Sequence, residues 1–169
     1  KGSPDQALYN ALMRLNAVRA TSITLVCFFV TQVQTSIAQA GIVPASRADR
    51  AEAKDIFKQL IEINTTDSIG STTVAAEAMA KRLLDAGFPK ADVVVLGPND
   101  RKGNLVARYR GKAGTKLRPI LIIGHTDVVE ARREDWTTDP FKFVEKDGYY
   151  YGRGTQDMKE DDAIAVTDF

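Results

Sequence analysis

The apolar run Pro-Ile-Leu-Ile-Ile at residues 119–123 is the feature that most restricts the fold of this chain. Side chains alternate between the two faces of an extended segment, so this run is apolar on both faces. Such strands are typical of the interior of a sheet covered by helices on both sides. The run therefore predicts a fully buried strand and an α/β layered domain.

Two amphipathic helices are predicted before this run. The first begins at a capping box formed by Ser46 and Asp49. Its inward-facing residues follow the helical period and are Ala53, Ile56, Phe57, Leu60 and Ile61. The second ends at Gly87, with Pro89 just beyond. Its predicted inward-facing residues are Ala75, Ala78, Met79, Leu83 and Ala86.

The remaining predicted elements are short. Residues 93–96 and 104–110 favour strands on either side of a turn at 97–100. A hairpin is predicted around Lys146-Asp147-Gly148. A last helix is predicted to start near Glu160, with an acidic first turn that suits the helix dipole.

The first forty residues have the pattern of an export signal. Basic residues after Met13, a short apolar stretch at 23–30 and an Ala-Gln-Ala end at 38–40 are typical of a secretory signal peptide. We therefore divide the chain into a leader or misassigned start at 1–12, a signal peptide at 13–40 and a domain at 41–169. The protein is then secreted or periplasmic and keeps no stable membrane anchor after cleavage, since the apolar stretch is short for a bilayer. A buried core helix is the alternative for residues 23–30.

Composition removes other classes of function. The formal net charge is +1, and no basic stripe or nucleic-acid motif is present, so no nucleic-acid partner is expected. The single cysteine, Cys27, lies in the predicted signal peptide, so the exported domain has no disulfide or thiol chemistry.

The candidate chemistry begins directly after the apolar run. His125 is the only histidine in the chain, and a neutral imidazole is a good zinc ligand. Asp127 lies two positions later, on the same side of an extended segment, where it can orient the imidazole. Asp157 precedes the last helix, and its carboxylate can bridge two cations. The alternatives are that His125 only terminates a strand and that Asp157 caps a helix.

Taken together, these stretches resemble the co-catalytic di-zinc peptidase and amidohydrolase family. That family includes aminoacylases, glutamate carboxypeptidases, acetylornithine deacetylases and succinyl-diaminopimelate desuccinylases. The motifs that carry the resemblance are Gly103-Asn104-Leu105, His125-Thr126-Asp127, Trp136 with Pro140-Phe141, and Tyr151-Gly152-Arg153-Gly154 followed by Asp157-Met158-Lys159.

The resemblance implies a fold and a set of roles. It implies a truncated three-layer, mixed-sheet catalytic domain and a small peptide or N-acyl amino acid as substrate. His125 resembles the histidine that binds one zinc, Asp157 the aspartate that bridges two zincs, and Asp127 the catalytic-site aspartate that orients the histidine. Cobalt or manganese can replace zinc at such ligands. A homodimer is possible in a full-length parent.

Parts of the family pattern are not found in this chain. The Glu-Glu pair after the bridging aspartate, the later metal ligands and the lid domain have no counterpart, and Glu160-Asp161-Asp162 stands where glycine is common. We therefore expect the chain alone to be inactive, as a fragment of an amidohydrolase. The alternatives are a truncated, non-catalytic product that acts at most as a metal-binding or interaction module, and a secreted binding domain without metal.

Overall fold

The computed structural model describes residues 43–169. Its helices are α1 (Arg47–Glu62), α2 (Thr72–Asp85) and α3 (Lys159–Asp168). Its strands are β1 (Val93–Leu96), β2 (Asn104–Ala107), β3 (Val144–Lys146) and β4 (Tyr149–Tyr151). Short 3-10 turns occupy Lys90–Asp92 and Arg133–Asp135. The predicted leader and signal peptide lie outside the described residues.

Helix α1 begins where the sequence predicts. Ser46 and Asp49 form a capping box: the Ser46 N–H donates to Asp49 Oδ2 at 2.8 Å, and the Asp49 N–H donates to Ser46 Oγ at 3.1 Å. The two bonds satisfy amide groups that have no partner within the helix. The fully buried residues of α1 are Ile56, Phe57, Leu60 and Ile61, which confirms the predicted inward face.

Helix α2 ends at the predicted glycine. Gly87 has a φ of +99°, a left-handed conformation that glycine adopts at little cost. The Phe88 N–H donates to the Leu83 carbonyl at 3.0 Å, which closes the helix end. Ala75, Met79 and Leu83 are buried as predicted. The prediction for Ala86 is wrong: it is exposed, because it caps the helix beyond the last buried turn.

Two antiparallel hairpins account for the strands of the described residues. In the first, β1 pairs with β2 in a register that places Val94 opposite Val106. In the second, β3 pairs with β4 across a turn in which Asp147 and Gly148 both have positive φ, 54° and 80°. Turns of this kind match the twist of a hairpin. The predicted hairpin around residues 146–148 is thus present, and the two strands predicted before it are present as well, although the second ends at Ala107 and not at Arg110.

The predicted buried strand at residues 119–123 is wrong for the part of the chain described. The segment has no regular secondary structure, and Ile120, Leu121 and Ile123 are 89%, 81% and 77% exposed. A strand that is buried on both faces needs neighbours on both edges and a covering layer on each side. Within residues 43–169 no strand pairs with this segment. The structure therefore has α/β character in two small antiparallel sheets.

The hydrophobic core joins the first and last helices. Ile56, Leu60 and Ile61 of α1 pack with Met79 of α2 and Ala163 of α3. The aromatic rings of Phe57, Phe143 and Tyr150 extend this core to the second hairpin. The ring centroids are 5.5 Å apart for Phe57 and Phe143 and 5.0 Å apart for Phe143 and Tyr150. None of the helices in residues 43–169 is both long and apolar enough to cross a membrane. The second half of α1 therefore lies in a core that it shares with α2, α3 and the second hairpin.

Candidate metal centre

The loop that carries His125 is attached to the chain just after α1. The Thr65 hydroxyl donates to the Thr126 carbonyl at 2.6 Å. The Val128 N–H donates to the Thr65 carbonyl at 3.4 Å, and Thr66 forms a parallel bridge with Val128. Thr65 and Thr66 are buried, so these bonds lie in protected surroundings. The position of His125 is therefore set by hydrogen bonds to the residues just after α1, and no strand of the described part of the chain pairs with the segment before it.

The three residues predicted for the site lie together. His125 Nε2 is 3.0 Å from Asp157 Oδ1, although the two residues are 32 positions apart in the chain. His125 Nδ1 lies 3.2 Å from the Asp127 carbonyl oxygen and 3.3 Å from Asp127 Oδ1. Each ring nitrogen thus faces an acceptor oxygen. The geometry agrees with the predicted grouping, and the roles of these residues in binding metal stay predictions.

The surroundings of His125 favour its charged form. Partial burial lowers the pKa of His125, but hydrogen bonds to Asp127 and Asp157 and the charges of both carboxylates outweigh it, so the pKa is raised. The imidazole therefore holds its proton more firmly than a free histidine. In the charged form both ring nitrogens carry a proton, so a cation that binds this form has to displace one.

Asp157 is presented by the turn that leads into α3. The N-cap of α3 is Met158, without a side-chain hydrogen bond, so the alternative in which Asp157 caps this helix is wrong. The peptide bond between Asp157 and Met158 is cis. The Asp157 side chain is 84% exposed and makes its contact with His125. Its carboxylate is accessible to a ligand from solvent.

Lys159 has a role that the sequence did not reveal. Its side chain is completely buried, and its Nζ donates to the carbonyls of Leu60 at 2.8 Å and Ile63 at 3.0 Å. Burial lowers the pKa of Lys159 to about 8, while the charge of Asp162 opposes this shift. No signal in its motif distinguishes this buried lysine from an exposed one, because the carbonyls that accept its hydrogen bonds come almost a hundred positions earlier in the chain.

Asp162 is a second residue whose position was missed. It was predicted only as part of an acidic first turn, and that placement is confirmed. Its side chain faces inward, and its Oδ2 is buried with no hydrogen-bond partner among the described residues. A Cβ built on Gly124 would lie 2.1 Å from Asp162 Oδ1, so any side chain at this position would require the Asp162 carboxylate to move. Asp162 therefore packs behind the His125 loop.

A cavity of about 570 Å³ adjoins these residues. It lies between α2, β2, the segment 119–125 and α3, and most of its walls are apolar. His125, Asp127 and Asp162 are among its polar lining residues. The candidate site therefore borders a space large enough for a small organic molecule.

The donor atoms present suit a metal ion but do not complete a site. His125 Nε2 and Asp157 Oδ1 are a nitrogen and an oxygen of the kinds that zinc binds at about 2.0–2.2 Å, so one cation can touch both atoms at once. Zinc sites in proteins have three or four protein ligands. Within residues 43–169 no three histidine, cysteine, aspartate or glutamate side chains converge on one point. Among the described residues, His125 and Asp157 therefore offer two donor atoms, which is fewer than a zinc site needs.

Sequence comparison identifies the class of protein to which this arrangement is related. Residues 121–167 match the family model described as Peptidase family M20/M25/M40. The matched segment contains His125, Asp127 and Asp157, together with Lys159 and Asp162. The resemblance to a peptidase and amidohydrolase family, predicted from the motifs, is confirmed.

Individual relatives have narrower names. The chain is 47% identical over 85 residues to the succinyl-diaminopimelate desuccinylase of Polynucleobacter necessarius subsp. necessarius (strain STIR1). The aligned segment covers 49% of this chain and 22% of the relative. It is 38% identical over 110 residues to the acetylornithine deacetylase of Pasteurella multocida (strain Pm70). That alignment covers 62% of this chain and 27% of the relative. The chain thus spans about a quarter of the length of these relatives.

Proposed function

We propose that His125 and Asp157 form part of a zinc centre in an enzyme that hydrolyses the amide bond of N-acyl amino acids or small peptides. The observation that carries the proposal is the 3.0 Å contact between His125 Nε2 and Asp157 Oδ1, within the segment that matches the family model. The names of the two relatives describe removal of a succinyl and an acetyl group. Two zinc ions per complete site are proposed, with cobalt or manganese as substitutes.

The proposed roles follow from the contacts of each side chain. His125 supplies a nitrogen ligand once its Nε2 is free of the proton, and Asp157 supplies a carboxylate to the same cation or to two neighbouring ones. Asp127 accepts a hydrogen bond from His125 Nδ1–H, which fixes the ring orientation and keeps Nε2 directed at Asp157. Zinc, when bound, lowers the pKa of a coordinated water toward about 7.

The chain taken alone is proposed to be inactive. Two converging ligands among residues 43–169 are too few to order two metals. The same observation favours a second candidate for this chain, a non-catalytic fragment that binds a single cation weakly or serves as an interaction module. Both candidates allow the chain to bind a cation, so a measurement of catalytic turnover distinguishes them and a measurement of metal binding does not.

Further features of the whole protein are also proposals. A three-layer, mixed-sheet catalytic domain would give the exposed residues 119–123 the neighbours that they lack here. Export to the periplasm or outside the cell rests on the signal pattern of residues 13–40. A homodimer rests only on the resemblance to the family.

Metal binding is tested by zinc titration of the 169-residue chain. Because His125 is the only histidine, its imidazole ¹⁵N resonances report binding without assignment ambiguity. Zinc is expected to shift these resonances. Asp157→Asn is expected to weaken the affinity by about tenfold or more, as loss of a ligand or its partner does at zinc sites. Asp161→Asn is the matched control, because it removes the same charge from an exposed residue of the same stretch.

The proposal fails at this step when zinc leaves the imidazole signals unchanged or when Asp157→Asn binds as tightly as the original chain. Activity is tested by joining residues 50–168 to the remaining part of a succinyl-diaminopimelate desuccinylase. The chimera is expected to release succinate only with zinc present and to lose this activity in His125→Ala. Zinc-dependent hydrolysis by a clean preparation of the 169-residue chain would contradict the proposed inactivity.

A further inference from the structure

We propose that Lys159 is a positioning residue that holds Asp157 in register with His125 by anchoring the Asp157 turn to the end of α1. The proposal rests on the proposed function, because the register matters when both side chains bind one cation. Lys159 itself touches neither His125 nor a ligand, so it acts through Asp157.

The first support is the environment of the Lys159 ammonium group. The carbonyls of Leu60 and Ile63, which accept its hydrogen bonds at 2.8 and 3.0 Å, lie in the last turn of α1 and at its cap. Carbonyls at the end of a helix have no partner within the helix, and the helix dipole favours a positive charge there. The ammonium group therefore fits this one place specifically, and its fully buried stem fixes the distance to it.

The second support is that both halves of the site use the same anchor. Thr65, two residues beyond Ile63, holds the His125 loop through its hydroxyl and its carbonyl. Lys159 holds the Asp157 turn from two residues away. Because both attachments lie within residues 60–66, the distance between His125 and Asp157 is determined by one short stretch of backbone.

The third support is the packing of the Asp157 turn around the Lys159 stem. The Lys159 N–H donates to the Gly154 carbonyl at 3.1 Å, which closes the turn that contains Asp157. A Cβ on Gly154 would lie 3.0 Å from Lys159 Cδ and 2.8 Å from Val128 Cγ1. Gly154 is therefore enclosed between the lysine stem and the His125 loop, so a displaced Lys159 would move the turn relative to that loop.

The test uses Lys159→Met in the full chain, with the zinc titration of the His125 imidazole as the readout. Methionine keeps most of the buried stem and removes the hydrogen-bond donors. The zinc affinity is expected to fall about tenfold, as it does when a group that orients a ligand is lost. Met79→Ala is the matched control, because it damages the same core at a residue of α2 that belongs to neither the His125 loop nor the Asp157 turn, and it is expected to keep the affinity within about twofold.

A second readout separates this proposal from the proposed function. In the metal-free chain, the ¹⁵N shifts of the His125 ring report its contact with Asp157, and Lys159→Met is expected to change them while Met79→Ala leaves them unchanged. Absence of zinc binding in the original chain refutes the metal site alone. Unchanged ring shifts and unchanged affinity in Lys159→Met refute the positioning role, as do equal effects of the two variants. Should Lys159→Met not fold, Lys159→Gln takes its place: its side chain is neutral and one atom shorter, so the affinity is expected to fall in the same direction by less than tenfold, and an affinity and ring shifts equal to those of the original chain refute the positioning role.

Discussion

Asp162 provides a prediction of increased folding stability, whereas most substitutions at buried residues decrease it. Its Oδ2 is buried without a hydrogen-bond partner among the described residues. Burial raises the pKa of Asp162 from 3.8 to about 6, and the positive charges of His125 and Lys159 only partly oppose this shift. At pH 7 the carboxyl is therefore ionised in surroundings that disfavour its charge. Asp162→Asn, which is neutral and of the same shape, is expected to stabilise the fold at that pH.

The magnitude follows from the difference in proton affinity between the folded and unfolded chain. A rise from 3.8 to about 6 corresponds to about 3 kcal/mol between the two protonation states. Because the side chain is only partly buried, solvent screens the charge, and we expect about 1–2 kcal/mol at pH 7. The folded chain binds this proton more tightly, so stability is lost as pH rises from about 4 to about 6. The gain from Asp162→Asn should accordingly be near zero at pH 4.

Urea unfolding followed by circular dichroism at pH 4 and pH 7 measures this difference. Asp161→Asn is the control, because it removes the same charge from the neighbouring exposed residue and is expected to change stability by less than about 0.5 kcal/mol. A loss of stability in Asp162→Asn at pH 7, or an equal gain at both pH values, would refute the reasoning. The first result would mean that the ionised carboxylate has a favourable partner.

Three further substitutions test other parts of the structure. Gly124→Ala is expected to destabilise the fold by about 1–3 kcal/mol, because its Cβ would lie 2.1 Å from Asp162 Oδ1; in urea unfolding this loss should shrink when Asp162→Ala is added, and an undiminished loss would place the clash elsewhere. Ser46→Ala is expected to cost about 1 kcal/mol in thermal unfolding through loss of the capping hydrogen bond, and an unchanged melting temperature would contradict that capping role. Hydrogen bonds from Arg110 hold the pKa of Asp92 below its ordinary value. Asp92→Asn should therefore destabilise the fold at neutral pH, and the loss should shrink as the pH falls through that lowered pKa. A difference in stability that is independent of pH between 2 and 7 would contradict this assignment.

The helices could be predicted from the sequence because their signals are local. The capping box at Ser46 and the left-handed Gly87 each involve residues within four positions of the helix end. The hairpin turn at Asp147 and Gly148 is equally local. Whether residues 119–123 are buried could not be derived in this way, since burial of a strand depends on other strands and layers that are distant in the sequence. Their apolar character is real, but within residues 43–169 no partner covers them.

The candidate site was predictable only in part for the same reason. His125 and Asp157 were grouped because the order and spacing of the motifs resembled a family, and the structure places them 3.0 Å apart. The inward position of Asp162 was not predictable, because α3 has only ten residues and few large apolar side chains to define its buried face. The anchor formed by Lys159 depends on carbonyls 96 and 99 positions earlier in the chain.

These contacts explain how the site keeps its geometry although the apolar segment before it is exposed. A histidine at the carboxyl end of a strand is usually positioned by the sheet. Among residues 43–169 the segment 119–123 has no paired strand, yet His125 still meets Asp157, and Thr65 and Lys159 attach the two loops to the end of α1. The end of α1 thus takes the place of the sheet as the fixed reference for His125 and Asp157. Disruption of the last turn of α1 should therefore separate these two side chains more effectively than polar substitutions at residues 120–123.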